Sequence, residues 1–160
     1  MILGLIIALA AFLADFLSKY YIAELFAKDA AIKSFGSYFN LVEAWNTGVS
    51  FSMFNDGGIL GTVLLSAFAL GVVAFLFSWL RHENNKTVQV ALGLIIGGAL
   101  GNVADRIRFG AVYDFLDFHY GAWHWPAFNA ADSFICIGAF LIILHSLFTR
   151  KNNTLKEITK

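Results

Sequence analysis

The sequence predicts an all-α membrane protein of four transmembrane helices, with a small aromatic-rich β segment on one membrane surface between the first and second helices. Three observations predict it. Of 160 residues, 59% are hydrophobic and 14% charged, whereas an average soluble domain is about 25% charged; the mean hydropathy is +0.70. The apolar residues fall in four blocks, each close to the roughly 20 residues that a hydrocarbon layer of about 30 Å requires. Finally, three of the four tryptophans, Trp45, Trp123 and Trp125, lie in the two connections at one end of the helices, as in the aromatic belts of membrane interfaces.

The first block, Ile2–Leu25, has no basic stretch before it and carries Asp15 and Lys19 without a cleavage-like end. It reads as a retained helix, not a removable leader. The following stretch, Phe35–Phe54, is rich in aromatic and β-branched residues and is broken by Gly36 and Gly48, which indicates strands and turns on the membrane surface. Ile59–Leu80 and Val88–Ile107 are the second and third spans. The third carries Gly93, Gly97 and Gly101 at four-residue spacing, a stripe that lets helices approach closely in lipid. Gly110 marks its stop, and Val112–Phe128 is again aromatic and interfacial. The fourth span, Ala130–Phe148, follows Asn129, with Asp132 three residues later; that spacing fits an N-cap followed by an acidic residue in the first turn. No repeat or low-complexity linker divides the chain, so residues 1–160 read as one domain.

Four spans put both termini and the 81–86 turn on one side, together with Arg81, Lys86, Arg150, Lys151, Lys156 and Lys160. The positive-inside rule makes that side cytoplasmic. A formal net charge of zero argues against a nucleic-acid partner. Cys136 is the single cysteine; it has no disulfide mate and no metal-ligand spacing around it, and reads as a small packing residue.

Charges near the hydrocarbon cost about 3 kcal/mol each on insertion scales, so each needs a reason. Asp15 and Lys19 are four apart on one helical face and can neutralise each other. Asp105 beside Arg106 reads as an ion pair holding helices together, with neighbouring carbonyls as the alternative partners of Arg106 and Asn102 one turn away. Asp132 can serve the dipole of the fourth helix, and Asp117 fits a wet interface. Asp114, between Tyr113 and Phe115, has no basic neighbour in sequence. So many carboxylates at one end of a small bundle favour chemistry over packing. His82-Glu83 lacks the second histidine of a zinc-protease helix. Ser50 or Ser52 would need a base, and neither His119 nor His124 has a spacing that supplies one. Two aspartates, one activating water and one polarising a carbonyl, need neither metal nor thiol. Composition and spacing thus reach a candidate aspartyl hydrolase without naming its substrate. The alternative is a small proton- or cation-coupled transporter using the same carboxylates, although broken helices and internal repeats are missing from the pattern.

Five segments carry a resemblance to a known family: Asp15-Phe-Leu-Ser-Lys19, Trp45-Asn-Thr-Gly-Val-Ser-Phe51, Gly97-Gly-Ala-Leu-Gly-Asn-Val-Ala-Asp-Arg106, Val112-Tyr-Asp-Phe-Leu-Asp-Phe118 and Phe128-Asn-Ala-Ala-Asp132. Together, and in this order, they resemble the lipoprotein signal peptidases (signal peptidase II). The resemblance implies a bacterial inner-membrane aspartyl endopeptidase that removes the signal peptide of prolipoproteins before a diacylglyceryl-modified cysteine. It implies a catalytic pair at Asp114 and Asp132, and further functional polar positions at Asp15, Asn46, Gly48, Asn102, Arg106 and Asn129. Lys19 and Asp105, inside the matching segments, join these as site support. No metal or other cofactor is expected. The partners expected are lipidated prolipoproteins and membrane lipids, with a monomeric enzyme whose site faces away from the cytoplasm. Asp132, at the positive end of the fourth helix, is expected to be the ionised base and Asp114 the protonated partner.

Overall fold

Helices α1 (Ile2–Lys28), α2 (Gly58–His82), α3 (Lys86–Phe109) and α4 (Ala130–Ile158) run back and forth, and each has a stretch long and apolar enough to cross a membrane. The computed structural model describes residues 1–48 and 58–158, with side chains as far as 149. The end of the expected surface segment, Val49–Phe54 with Ser50 and Ser52, lies outside the described residues, as do the side chains of Arg150, Lys151 and Lys156, and Lys160 entirely. The four expected spans match the helices with ends displaced by at most three residues, except that α4 continues past its apolar stretch, Ala130–Thr149, to Ile158.

Helix α3 is the hub. It packs against each of the other three, whereas the outward faces of α2 and α4, with Phe68, Phe75, Ile143 and Phe148, are left for lipid. Between helices in a bilayer there is little hydrophobic drive, so close packing and hydrogen bonds must hold them. The glycine stripe provides the first. A Cβ on Gly93 would meet the Gly4 carbonyl, on Gly97 the Ala8 carbonyl and Ala11, and on Gly101 the Asp15 carboxylate. Gly98 likewise admits the Ala131 carbonyl of α4, and Gly138 of α4 admits the Ala91 carbonyl of α3. Leu80 of α2 and Leu92 of α3 are fully buried in the same core.

Both ends of α3 are capped by sequence. Asn85 Oδ1 accepts the N–H groups of Thr87 at 2.9 Å and Val88 at 3.2 Å, satisfying two of the orphan donors of the first turn. Gly110, in the left-handed conformation at φ 75°, ends the helix and donates to the Arg106 carbonyl, the C-terminal role that glycine fills without a Cβ penalty.

At that end lies an antiparallel sheet, β1 (Lys33–Ser34), β2 (Phe39–Asn46), β3 (Val112–Tyr120) and β4 (Trp123–His124), in that order. The sequence places strands only between the first two helices, yet half of the sheet comes from the connection between α3 and α4. The reason is physical: Val112–Phe115 are all buried, so this strand lacks the polar–apolar alternation that announces a half-exposed one. Strands β2 and β3 pair from Phe39 opposite Phe118 to Asn46 opposite Val112, with a register shift between Leu41 and Ala44. Two residues there, Val42 and Glu43, oppose one, which is the count of a β-bulge.

Candidate active site

Asp15 and Lys19 sit one turn apart on α1, 1% and 6% exposed. The Lys19 ammonium lies 2.7 Å from Asp15 Oδ2 and 2.7 Å from Asp105 Oδ2, and donates to Asn102 Oδ1 at 3.2 Å. An ammonium has three donors, and all are used. Asp15 Oδ1 accepts the Ala131 N–H at 2.9 Å, so a side chain of the first helix satisfies an orphan donor of the last. Asp105 also accepts the Tyr113 N–H at 3.2 Å.

The expected pairing of Asp105 with Arg106 is corrected by this arrangement. Neighbouring residues on a helix diverge by roughly 100°. Asp105 therefore turns toward Lys19 of α1, while Arg106 reaches the end of β2 and donates to the Gly48 carbonyl at 3.0 Å. Gly48 in turn donates its N–H to Asn46 Oδ1 at 3.0 Å, and Asn46 Nδ2 donates to Asp114 Oδ2 at 3.1 Å. The backbone bond fixes which end of the Asn46 amide faces the carboxylate.

Asn129 stands at the centre, wholly buried. Its Nδ2 donates to Asp114 Oδ1 at 2.7 Å and to Asn102 Oδ1 at 3.2 Å, and its Oδ1 accepts the Asp132 N–H at 3.0 Å. The Asp132 carboxylate reaches back to the Asn129 N–H at 3.3 Å and accepts from Asn102 Nδ2 at 2.8 Å. The cap expected from the Asn129–Asp132 spacing is therefore present as a reciprocal box. All ten residues singled out in the sequence belong to this one network or its immediate support. Asp114 and Asp132 face a polar cavity of about 190 Å³ together with Asn46, Asn102, Arg106, Val112 and Ala127.

Asp114 is 2% exposed. Burial, followed by the negative charge of Asp132, pushes its carboxyl up to about 6, against the opposing hydrogen bonds from Asn46 and Asn129. This is the pattern expected of two carboxylates around one poorly hydrated space, where both cannot readily ionise. Among the described residues, no group of three or more His, Cys, Asp or Glu side chains is placed to hold a metal ion.

Three residues lie elsewhere than expected or escaped notice. Asp117 is not at a wet surface but 5% exposed, accepting from Asn40 Nδ2 at 2.8 Å and lying 2.9 Å from His124 Nδ1. Burial pushes its carboxyl up, but these two partners outweigh that and hold it below the usual carboxylate range. Asn40, a lone asparagine in a strand, gave no signal in sequence. Cys136 is exposed on α4 instead of packed inside, while Trp45, Trp123 and Trp125 are exposed as interfacial anchors should be.

Residues 7–148 match the family model described as Signal peptidase (SPase) II. The chain is 41% identical over 149 residues to the lipoprotein signal peptidase of Pseudoalteromonas atlantica, covering 92% of this chain and 90% of that one. It is 46% identical to that of Paraburkholderia phytofirmans over 88% and 82% of the two chains, and 38% identical to that of Anaplasma phagocytophilum over 93% and 94%. A solved structure described as a bacterial membrane enzyme, determined by the in meso method at 2.3 Å, superposes with a TM-score of 0.81 at 28% identity, over 93% of this chain and 90% of that one. The matched family model, the near full-length relatives and the four apolar helices lead to one conclusion: the chain is a multi-pass bacterial inner-membrane protein and belongs to the signal peptidase II family of proteases.

Proposed function

We propose that this protein is an aspartyl endopeptidase that removes the signal peptide of prolipoproteins, cutting before a diacylglyceryl-modified cysteine, with Asp114 and Asp132 as the catalytic pair. The observation that carries the reading is that these two carboxylates, from a strand and a helix, line one polar cavity, with the Asn129 side chain joining the Asp114 carboxylate to the Asp132 backbone N–H. The names of the relatives supply the substrate class.

In this reading Asp132 is the ionised partner. It sits in the first turn of α4 and faces the cavity that can hold the attacking water. Its carboxylate takes a proton from water as the oxygen attacks the scissile carbonyl. Asp114, protonated because of its burial, donates a hydrogen bond to the carbonyl oxygen as negative charge builds there. The tetrahedral intermediate then collapses as Asp132 passes the proton it took from water to the leaving nitrogen, the C–N bond breaks and Asp132 is again ionised. Asn46 and Asn129 hold Asp114 by its two oxygens, and Arg106 holds the Gly48 backbone from below. Orientation of this kind, fixed before substrate arrives, accounts for much of what an enclosed site contributes.

The sheet end is extracytoplasmic and the termini cytoplasmic, a reading supported by Arg81 and Lys86 at the opposite end from the site. A diacylglyceryl-cysteine then carries its scissile bond to the depth of the carboxylates. One domain and one copy suffice, since the network described draws on a single chain.

The experiment is cleavage of a lipidated lipobox peptide by purified protein in a bilayer mimic. The wild type should cut it, and Asp114→Asn or Asp132→Asn should abolish turnover without loss of folded protein. Near-normal turnover by Asp114→Asn would overturn the pair. No cleavage by the wild type would return the transporter alternative.

A further inference from the structure

A second cavity, of about 180 Å³, lies against the outside of α1 and α3 and under the end of β2. It is walled by Phe16, Tyr20 and Ala23 of α1, Ala104 and Phe109 of α3, and Trp45 of β2, with Lys19, Asp105, Arg108 and Tyr113 as its polar members. It shares none of its lining with the cavity at Asp114 and Asp132. Two of its polar members are already committed, Lys19 and Asp105 to one another.

The other two are not. Tyr113 is 3% exposed, yet its hydroxyl is buried with no hydrogen-bond partner. A buried hydroxyl without a partner is costly, so in a native protein it asks for an explanation. Burial and the nearby charge of Glu43 push this phenol up to about 12, so it remains a donor in search of an acceptor. Arg108 is exposed at the last turn of α3, and its guanidinium lies 4.7 Å from the Phe109 ring centroid, with no carboxylate partner among the described residues. A cation free to take a phosphate, a buried donor free to take a carbonyl, and an apolar wall facing the hydrocarbon occur together in one place. That combination matches the three chemical layers of a glycerophospholipid: an anionic phosphate, ester carbonyls, then acyl chain.

We propose that this cavity is a binding site for one anionic glycerophospholipid of the surrounding bilayer, its phosphate on the Arg108 guanidinium, an ester carbonyl on the Tyr113 hydroxyl and an acyl chain along Phe16, Tyr20 and Ala23. The bilayer supplies the ligand at high local concentration, so modest affinity is enough to keep the site filled. Tyr113 also donates its backbone N–H to Asp105 and directly precedes Asp114. The bound lipid would thus brace the start of β3 from the side away from the Asp114 cavity. This proposal does not rest on the chemistry assigned to Asp114 and Asp132.

The test uses delipidated protein in neutral detergent, titrated with phosphatidylglycerol or with phosphatidylcholine of the same chains, read by native mass spectrometry and by melting temperature. The wild type should retain one phosphatidylglycerol preferentially and melt higher with it than with phosphatidylcholine. Arg108→Gln should weaken phosphatidylglycerol binding about ten-fold, the scale of one lost charge-assisted contact, while Arg81→Gln at the opposite end should leave it unchanged. Tyr113→Phe should melt no lower than the wild type without lipid, since it deletes an unsatisfied group, but should gain less from phosphatidylglycerol. Equal stabilisation of the wild type by the two lipids, or an Arg108→Gln protein that binds as the wild type does, would overturn the proposal. So would a Tyr113→Phe protein that gains as much from the lipid as the wild type.

Discussion

At Asp114 a single side chain carries a pH dependence whose sign can be worked out. Its carboxyl is raised from 3.8 to about 6, so across that window the folded state keeps a proton that an unfolded chain has released. Folding stability from this group is present below 3.8, is lost as pH rises toward about 6, and is level above it. If the protonated form is the one that polarises the carbonyl, kcat/KM should fall as pH rises through an apparent value near 6, a value that belongs to the Asp114–Asp132 pair and not to one residue. Arg106, facing the same cavity, favours the ionised forms, so Arg106→Gln should move that limb to higher pH; a pH–rate profile of the two proteins decides it, and a limb that does not move would separate Arg106 from the pair. Lys19 makes a different prediction. Lys19→Met removes the cation shared by Asp15 and Asp105 and leaves both carboxylates buried without it, which should cost about 3–5 kcal/mol. The measurement is unfolding in detergent, and a stability loss within about 0.5 kcal/mol of zero, the ordinary scale of surface changes, would contradict the network. The Asn129–Asp132 cap and the Asp15–Lys19 pair were legible in sequence because their spacing within an element already implies contact, whereas the pairing of Asp114 with Asp132 came only from the family resemblance. Arg106 was paired wrongly because adjacency along a chain says little about direction on a helix. Asn40 was not legible at all, since its partner Asp117 lies across a fold that spacing does not encode, nor was the burial of the Tyr113 hydroxyl.

Among the elements, the helices could be read almost to their ends, since a bilayer forces apolar length and α3 carries its caps at Asn85 and Gly110. Strand β3 could not, because burial on both faces removes alternation, and pairing with β2 is set by a bulge that no local pattern announces. The glycine stripe of α3 was legible as packing, but not which helix it seats. A Cβ at Gly97 would meet the Ala8 carbonyl and Ala11, whereas one at Gly71 on α2 would meet nothing within 4 Å. Gly97→Ala should therefore force α1 away from α3 at a cost of about 1–3 kcal/mol. Gly71→Ala should be neutral or stabilising by up to about 1 kcal/mol, from helix propensity alone. Melting temperatures of the two variants, side by side, check this; equal values would mean that α1 and α3 are not held by close approach at Gly97.

For the whole molecule, the contributions to the site come from widely separated parts of the chain. Asp15 and Lys19 lie on α1, Asn46 on β2, Asn102, Asp105 and Arg106 on α3, Asp114 on β3, and Asn129 and Asp132 at the head of α4. Separate expression of residues 1–84 and 85–160 should give two inactive halves, and their co-expression should restore cleavage of a lipidated peptide. Activity from the second half alone, which holds both aspartates, would show that the first half is dispensable to the chemistry. The contact between Asp15 and the Ala131 N–H joins the earliest helix to the last one. A ribosome delivers these groups in order, so while α1 to α3 already stand in the bilayer, Asp15 and Asn102 wait with partners at the head of α4 still unmade. Insertion of α4 satisfies them and in the same event brings Asp132 beside Asp114. With Asp114 and Asp132 as the proposed pair, timing itself restrains the protease during its synthesis: activity waits for the last helix to enter the membrane.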